Sequence, residues 1–200
     1  MTTKEKPTAF VTPFGRVSFP QLVVPSAMED GQKKKYSTIL LFPGDEKGLE
    51  AIAAQVDKAA RDKWGAKVDD KAFAAKLEMP IHEASEKQYD GYTDGWKFIR
   101  FSSVKKPRVI GQDKSDLEAD LNAEEYPDLY AGCWARVSYN VFAWEHKHPK
   151  TGAVIKRGVS LGLYNVQKVK DAESFGGGHS DADEDFDEIE IDADAAALLE

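Results

Sequence analysis

Gly132-Cys133-Trp134-Ala135-Arg136-Val137-Ser138-Tyr139-Asn140-Val141-Phe142-Ala143-Trp144-Glu145 is the stretch on which the fold turns. Side chains alternate across a strand, so Cys133, Ala135, Val137, Tyr139, Val141 and Ala143 share one face. Trp134, Arg136, Ser138, Asn140, Phe142 and Trp144 share the other. The first set is apolar and makes a core. The second mixes large aromatics with an arginine and small polar groups, which is a poor core and a good lining for a groove.

Working outward, residues 159–170 form a second strand of the same kind, with Val159, Leu161 and Leu163 inward and Ser160, Gly162, Tyr164 and Lys168 outward. Residues 146–158, with Pro149-Lys150-Thr151-Gly152, read as the loop of a hairpin between the two. Upstream, residues 96–104 read as a strand, followed by a short apolar stretch at Val109-Ile110. Residues 36–42 read as another strand, ending at Pro43-Gly44. Residues 9–24 are an edge or bulged strand, because Pro13 and Pro20 cannot donate to a ladder. Between the second and third strands, Leu49, Ile52, Ala53, Val56, Ala60 and Trp64 recur at helical spacing, with Asp45 as N-cap and Gly65 as stop. Shorter helices are expected over residues 70–77 and from Ser115, whose Ser-Asp-Leu-Glu has capping-box spacing. About five main strands with one good helix suit a small, partly closed barrel; the helices are too few to cover both faces of a parallel sheet.

The chain has 200 residues, 42% of them hydrophobic, enough for one core plus an appendage. Its net charge of −8 is not evenly spread. All 27 basic residues lie between Lys4 and Lys170 beside 23 acidic ones, leaving +4, whereas twelve acidic residues and no basic ones lie from Asp171 onward, giving −12. The expected division is therefore a body over 1–170 and a flexible acidic tail over 171–200, hinged at Gly176-Gly177-Gly178 and too charged to fold alone. Lone Cys133 forms no internal disulfide and no CxxC knuckle, which fits a reducing cytoplasm. No apolar run is long enough for a membrane span, and no membrane partner is expected.

The window 97–108 carries Lys97, Arg100, Lys105, Lys106 and Arg108 without an acid, interleaved with Trp96, Phe98 and Phe101. Cations meet phosphates and flat rings stack on unpaired bases of any sequence. At about 1 to 3 kcal/mol per stacked base, three stacks supply roughly 3 to 9 kcal/mol against the ~8 kcal/mol of a micromolar complex. The candidate DNA contacts are Trp96, Phe98, Phe142, Trp144 and Tyr164 for bases, and Arg100, Lys105, Lys106, Arg108 and Arg136 for phosphates. The alternative for the same window is a strand with core aromatics and solvated lysines. In the tail, Phe186, Ile189, Ile191, Leu198 and Leu199 among acids suit docking on a basic, partly apolar partner. Asp181, Asp183 and Asp185 begin like an EF-hand loop, but Phe186 stands where Gly is needed, and Asp192 where a bidentate Glu is needed. His146-x-His148 lacks a third metal ligand, and no nucleophile motif or phosphate-binding loop is present. No cofactor and no enzyme activity are expected.

Four blocks, Phe10 to Pro20 (Phe-Val-Thr-Pro-Phe-Gly-Arg-Val-Ser-Phe-Pro), Tyr36 to Pro43 (Tyr-Ser-Thr-Ile-Leu-Leu-Phe-Pro), Tyr130 to Ser138 (Tyr-Ala-Gly-Cys-Trp-Ala-Arg-Val-Ser) and Gly158 to Val169 (Gly-Val-Ser-Leu-Gly-Leu-Tyr-Asn-Val-Gln-Lys-Val), together with the acidic tail, resemble a bacteriophage family of single-stranded DNA-binding proteins. The resemblance implies an OB fold: a mainly β, five-stranded OB-fold-like barrel with one inserted helix. It implies binding of single strands without sequence preference in phage replication and recombination, in the cytoplasm of an infected bacterium. It also implies a tail that competes with DNA and contacts replication proteins, such as a polymerase, helicase or primase. Self-association of the chain is a further admissible partnership. Tails of such proteins often end in an aromatic residue; this one ends Ala195-Ala196-Ala197-Leu198-Leu199-Glu200. Two other readings stand beside this one: a metal-dependent nucleic-acid-processing enzyme centred on His146 and His148, and a phage adaptor acting through its tail.

Overall fold

The computed structural model describes residues 9–27 and 33–176. Among them are nine strands: β1 (Phe10–Val11), β2 (Gly15–Ser26), β3 (Lys35–Pro43), β4 (Leu77–Glu78), β5 (Ile81–Glu83), β6 (Trp96–Ser103), β7 (Arg108–Ile110), β8 (Trp134–Lys147) and β9 (Val154–Lys170). The helices are α1 (Gly48–Trp64) and the single-turn α2 (Lys71–Ala74), with short 3-10 turns at Gly65–Asp69 and Ala84–Glu86.

Five long strands pair in the order β8-β2-β3-β6-β9, and β9 pairs back with β8, closing a ring. Every neighbour pair is antiparallel except β6 with β9. The chain is thus mainly β, OB-fold-like, with one main helix inserted between the second and third ring strands. Two seams of the ring are short. β6 meets β9 at Phe101↔Leu161 and Ser102↔Gly162. β2 meets β8 at Gly15↔Ala135 and Arg16↔Trp134, extended by Val17 and Gly132 exchanging backbone bonds with Cys133 and Val17. Closure leaves no long ring strand with a fully unpaired edge.

Alternation predicts most of the ring's interior. Cys133, just before β8, and Ala135, Val137 and Tyr139 from β8 are buried with Val159, Leu161, Leu163 and Val166 from β9. The departure is a register shift where Tyr164 is an extra residue opposite Ser138 and Tyr139: it reverses the parity of β9, turning Val166 inward and pairing Lys168, expected outward, with buried Ala135, its side chain 15% exposed. α1 packs against this interior through Leu49, Ile52, Val56, Ala60 and Trp64, whose burial stabilises a helix that would be marginal alone. Two hydrogen bonds fix its angle: Tyr139 Oη donates to Gln55 Oε1 (2.7 Å) and Trp64 Nε1 to Glu145 Oε1 (2.8 Å). Gly65 ends the helix at φ 59°, as its position suggests.

Three local expectations are corrected. The helix begins after Lys47 without a side-chain cap; Asp45 lies in the preceding turn, and the Glu46 carboxylate accepts from Gly48 N (3.1 Å) instead. The helix expected over residues 70–77 stops at Ala74, and Leu77 and Glu78 pair with β9, so sheet pairing overrides local propensity. No helix forms from Ser115. Its hydroxyl turns back to Asp113 (2.6 Å), and Asp116 bridges to Ile110 and takes the Arg108 guanidinium, so the capping geometry is never assembled.

Residues 171–176, acidic by composition and assigned to the tail, lie on the body as a strap. Arg16 Nη2 donates to Glu173 O (2.6 Å) and its guanidinium sits 4.6 Å from the Phe175 ring centroid. Phe175 N bonds to Ala131 O (2.9 Å), and Lys168 pairs with Asp171 (2.6 Å). The remainder of the tail, with Phe186, Ile189, Ile191, Leu198 and Leu199 and its expected disorder, lies outside the described residues.

Candidate nucleic-acid interface

β9 and its neighbours carry three adjoining depressions on the outside of the ring, following β9 from Ser160 to Gln167. In the first, Trp144 and Ser160 face Arg100 and Ser102. The second holds Tyr164 and Asn165 with Lys105, Lys106 and Ser138. The third shares Ser138 and Asn165 and adds Arg108, Arg136 and Gln167. At about 3.3 Å per residue, the trough is roughly 23 Å long, room for several nucleotides of the ~4 to 16 that one OB fold engages.

Hairpin register explains why these side chains share a face. Trp144 pairs with Gly158, Phe142 with Ser160, Asn140 with Gly162 and Arg136 with Gln167. Two glycines lie beside the rings, and at Gly158 a Cβ would come closest to the Glu78 backbone oxygen (2.3 Å). A Cβ on Gly158 would sit 3.0 Å from Trp144 Cζ2, and one on Gly162 would lie 3.6 Å from Phe142 Cε1 while colliding with Asn140 Oδ1. Trp144 is fixed further by its indole nitrogen, which donates to Ser160 Oγ (2.8 Å). Phe142 is 43% exposed and presents an open ring.

The cations are held with different firmness. Half-buried Arg100 donates from Nη2 to Ser37 Oγ (3.1 Å), and burial lowers its pKa without threatening its charge. Arg136 is oriented by Gln167 Oε1 (2.8 Å) and lies 5.9 Å from the Phe14 ring centroid. Arg108 is exposed and paired with Asp116, which raises the pKa of the arginine and lowers that of the acid. A phosphate there competes with a carboxylate. Lys105 and Lys106 are exposed at the turn after β6.

Eight of the ten body residues nominated from sequence thus lie in or beside one trough: Arg100, Lys105, Lys106, Arg108, Arg136, Phe142, Trp144 and Tyr164. Two do not. Phe98 is on the same outward face as Arg100 but is only 7% exposed: residues 84–96 cover it, and it packs with Leu41 and Ala84 and stacks on His82 (5.0 Å, 18°). It is a core residue of this outer layer and offers no open stacking surface. Trp96 lines a separate pocket with Arg16, Gly91 and Phe175 beneath the strap. Sequence reasoning missed Ser37, Gln167 and Asp116, the residues that orient the arginines. Only the Gln167 role was accessible, by counting back through the hairpin from its turn.

His146 and His148 do not make a metal centre. His148 Nδ1 accepts from Lys150 N (3.2 Å) and Thr151 N (3.3 Å), shaping the hairpin turn, and among the described residues no group of three His, Cys, Asp or Glu side chains could hold a metal ion.

Aromatic rings and cations on one outer face of an OB-like ring are the groups that single-strand binding uses. Comparison with known proteins is specific about the family. Residues 8–196 match the family described as Enterobacter phage Enc34, ssDNA-binding protein, and the chain belongs to it. This is a family of non-enzymatic DNA-binding proteins. The chain is 26% identical to the single-stranded DNA-binding protein of bacteriophage Enc34 solved in complex with ssDNA, with a TM-score of 0.62 over 84% of this chain and 89% of that one. It is 27% identical over 179 residues to the putative protein p50 of Acyrthosiphon pisum secondary endosymbiont phage 1, covering 87% of this chain and 90% of that protein. The single-stranded DNA-binding protein gp2.5 of bacteriophage T7 shares the fold, with a TM-score of 0.57 at 17% identity over 90% of this chain and 96% of that one.

Proposed function

We propose that the chain binds single-stranded DNA without sequence preference, seating the strand in the trough along β9. Phe142, Trp144 and Tyr164 stack bases; Arg100, Lys105, Lys106, Arg108 and Arg136 meet phosphates. The observation that carries this is the convergence of three aromatics and five cations, drawn from β6, β7, β8, β9 and the turn after β6, on one outward face in a member of this family. Protein cations that displace condensed counterions favour any nucleic acid, whereas ring stacking requires unpaired bases. The two together select a single strand.

Coating single strands in this way serves phage replication and recombination. The acidic tail supplies the regulation: its charge imitates the ligand, so it occupies the trough until DNA displaces it, and its apolar residues then recruit a replication protein. The fluorescence anisotropy of dye-labelled oligothymidylate during titration with the protein tests the trough. Trp144→Ala and Phe142→Ala should each weaken binding roughly tenfold, about one stacked base. Both variants retaining full affinity would place the DNA elsewhere.

A further inference from the structure

Phe19 departs from two ordinary rules. Its backbone is left-handed at φ 46°, in the irregular stretch of β2 between the Ser18 and Gln21 register positions, and its ring is 48% exposed. A large side chain held in that conformation strains the backbone and marks a position whose orientation matters. The ring stands at 5.2 Å and 73° from Tyr89, itself 53% exposed. From Tyr89 contacts continue inward to Tyr92 (5.4 Å) and Phe98 (5.5 Å). Tyr92 is anchored by its hydroxyl, which donates to Ser18 Oγ (3.3 Å).

The position of this pair relative to the trough follows from strand register. Phe142 pairs with Ser160 and Arg100 with Ile39, which pairs with Ser18. Because Phe101 pairs with Leu161 in parallel, Ser160 and Arg100 lie side by side. Phe142, Ser160, Arg100, Ile39 and Ser18 therefore form one outward rank across five ring strands, about 19 Å from end to end at ~4.8 Å per strand. The trough's aromatic lip is at one end. Phe19 and Tyr89 are at the other.

We propose that Phe19 and Tyr89 form a second base-stacking platform, reached by a DNA strand that leaves the trough at Arg100 and crosses β6, β3 and β2. This rests on the trough being the primary DNA site. The occupant is a nucleobase because the rank starts at that site, and the two rings, set edge to face, offer open aromatic surface. Ile39 and Ser18, the latter only 4% exposed beneath Tyr92, are covered, so the strand passes over the outer layer of residues 84–96 and not along the bare sheet. Asp90 and Asp94 in the loop of Tyr89 add negative charge, so the platform acts by stacking and not by phosphate contact.

The experiment compares oligothymidylates of about four and about ten nucleotides, the shorter only filling the trough. Phe19→Asn with Tyr89→Ser removes both rings while keeping a residue that tolerates the left-handed backbone; a thermal melt reports whether the fold survives. The expected result is roughly tenfold weaker binding of the longer oligonucleotide with affinity for the shorter unchanged. Equal affinity of wild type and double variant for the longer one overturns the platform. If Phe142→Ala also leaves both affinities unchanged, the trough fails independently. On the wild-type protein, photo-cross-linking of a 5-iodouracil ten-mer should label peptides containing Phe19 or Tyr89; labels confined to other peptides overturn the platform even if the double variant does not fold. A double variant that binds DNA normally but loses self-association in sedimentation assigns the rings to a copy-to-copy contact, and also overturns it.

Discussion

Trp144 is held at its nitrogen by Ser160 and lies over the bare backbone of Gly158, so its ring face is preset before any ligand arrives. Preset rings lose little entropy on stacking. Ser160→Ala releases the indole at the cost of one hydrogen bond, about 1 kcal/mol, and should weaken single-strand binding less than Trp144→Ala does, measured by the same fluorescence titration. Gly158→Ala puts a methyl 2.3 Å from the backbone oxygen of Glu78, which cannot swing aside, and a melting temperature lowered by the equivalent of roughly 1 to 3 kcal/mol is expected. Cys133 is fully buried, and desolvation pushes its thiol up to about 11. At pH 8 it should remain unreacted with an aromatic disulfide reagent until the protein is unfolded; rapid labelling of the native chain would contradict the packing. At this scale the sequence was silent about cover. Alternation placed Phe142 outward and the cation-rich window nominated Phe98 beside it, and the path of residues 84–96 buries Phe98 while Phe142 stays open.

At the scale of elements, the β8–β9 hairpin was legible because its signals are local: period-two alternation, glycines, and a Pro-containing turn. The five-strand count and the long helix followed for the same reason. Closure of the ring was not written locally. It depends on pairings such as Val17 with Cys133 and Phe101 with Leu161, across long sequence separations, where no short-range pattern constrains register. The strap was hidden by its composition, since Asp171 and Glu173 read as tail. Its contacts are specific: Lys168 and Tyr130 hold Asp171 below its ordinary range. A depressed acid stabilises the docked strap above the unfolded value near ~3.9, and that contribution disappears as pH falls through the lower folded value. The protection of amides at residues 171–176, corrected for the intrinsic pH dependence of exchange, should therefore fall in acid before the ring itself opens. Phe175→Ala should lower that protection at neutral pH as well.

Over the whole molecule, the charge of −8 describes neither of its parts. The strap docks the first six residues of the acidic region, and ten of the twelve acids lie beyond it, from Asp181 to Glu200. Removing residues 177–200 should therefore leave strap and fold intact, and under the proposed competition between tail and DNA the affinity for single strands should rise, most at low salt where screening is weakest. The trough's own charge makes the most direct claim. Five phosphate contacts predict a slope of log affinity against log salt near −3.5, at about −0.7 per contact on single strands. The deciding measurement is that slope for the chain ending at residue 176, beside its Lys105→Ala, Lys106→Ala double variant: a fall from about −3.5 to about −2.1 is expected, whereas a flat dependence, or a slope the double variant leaves unchanged, would contradict a trough that holds the strand by those cations.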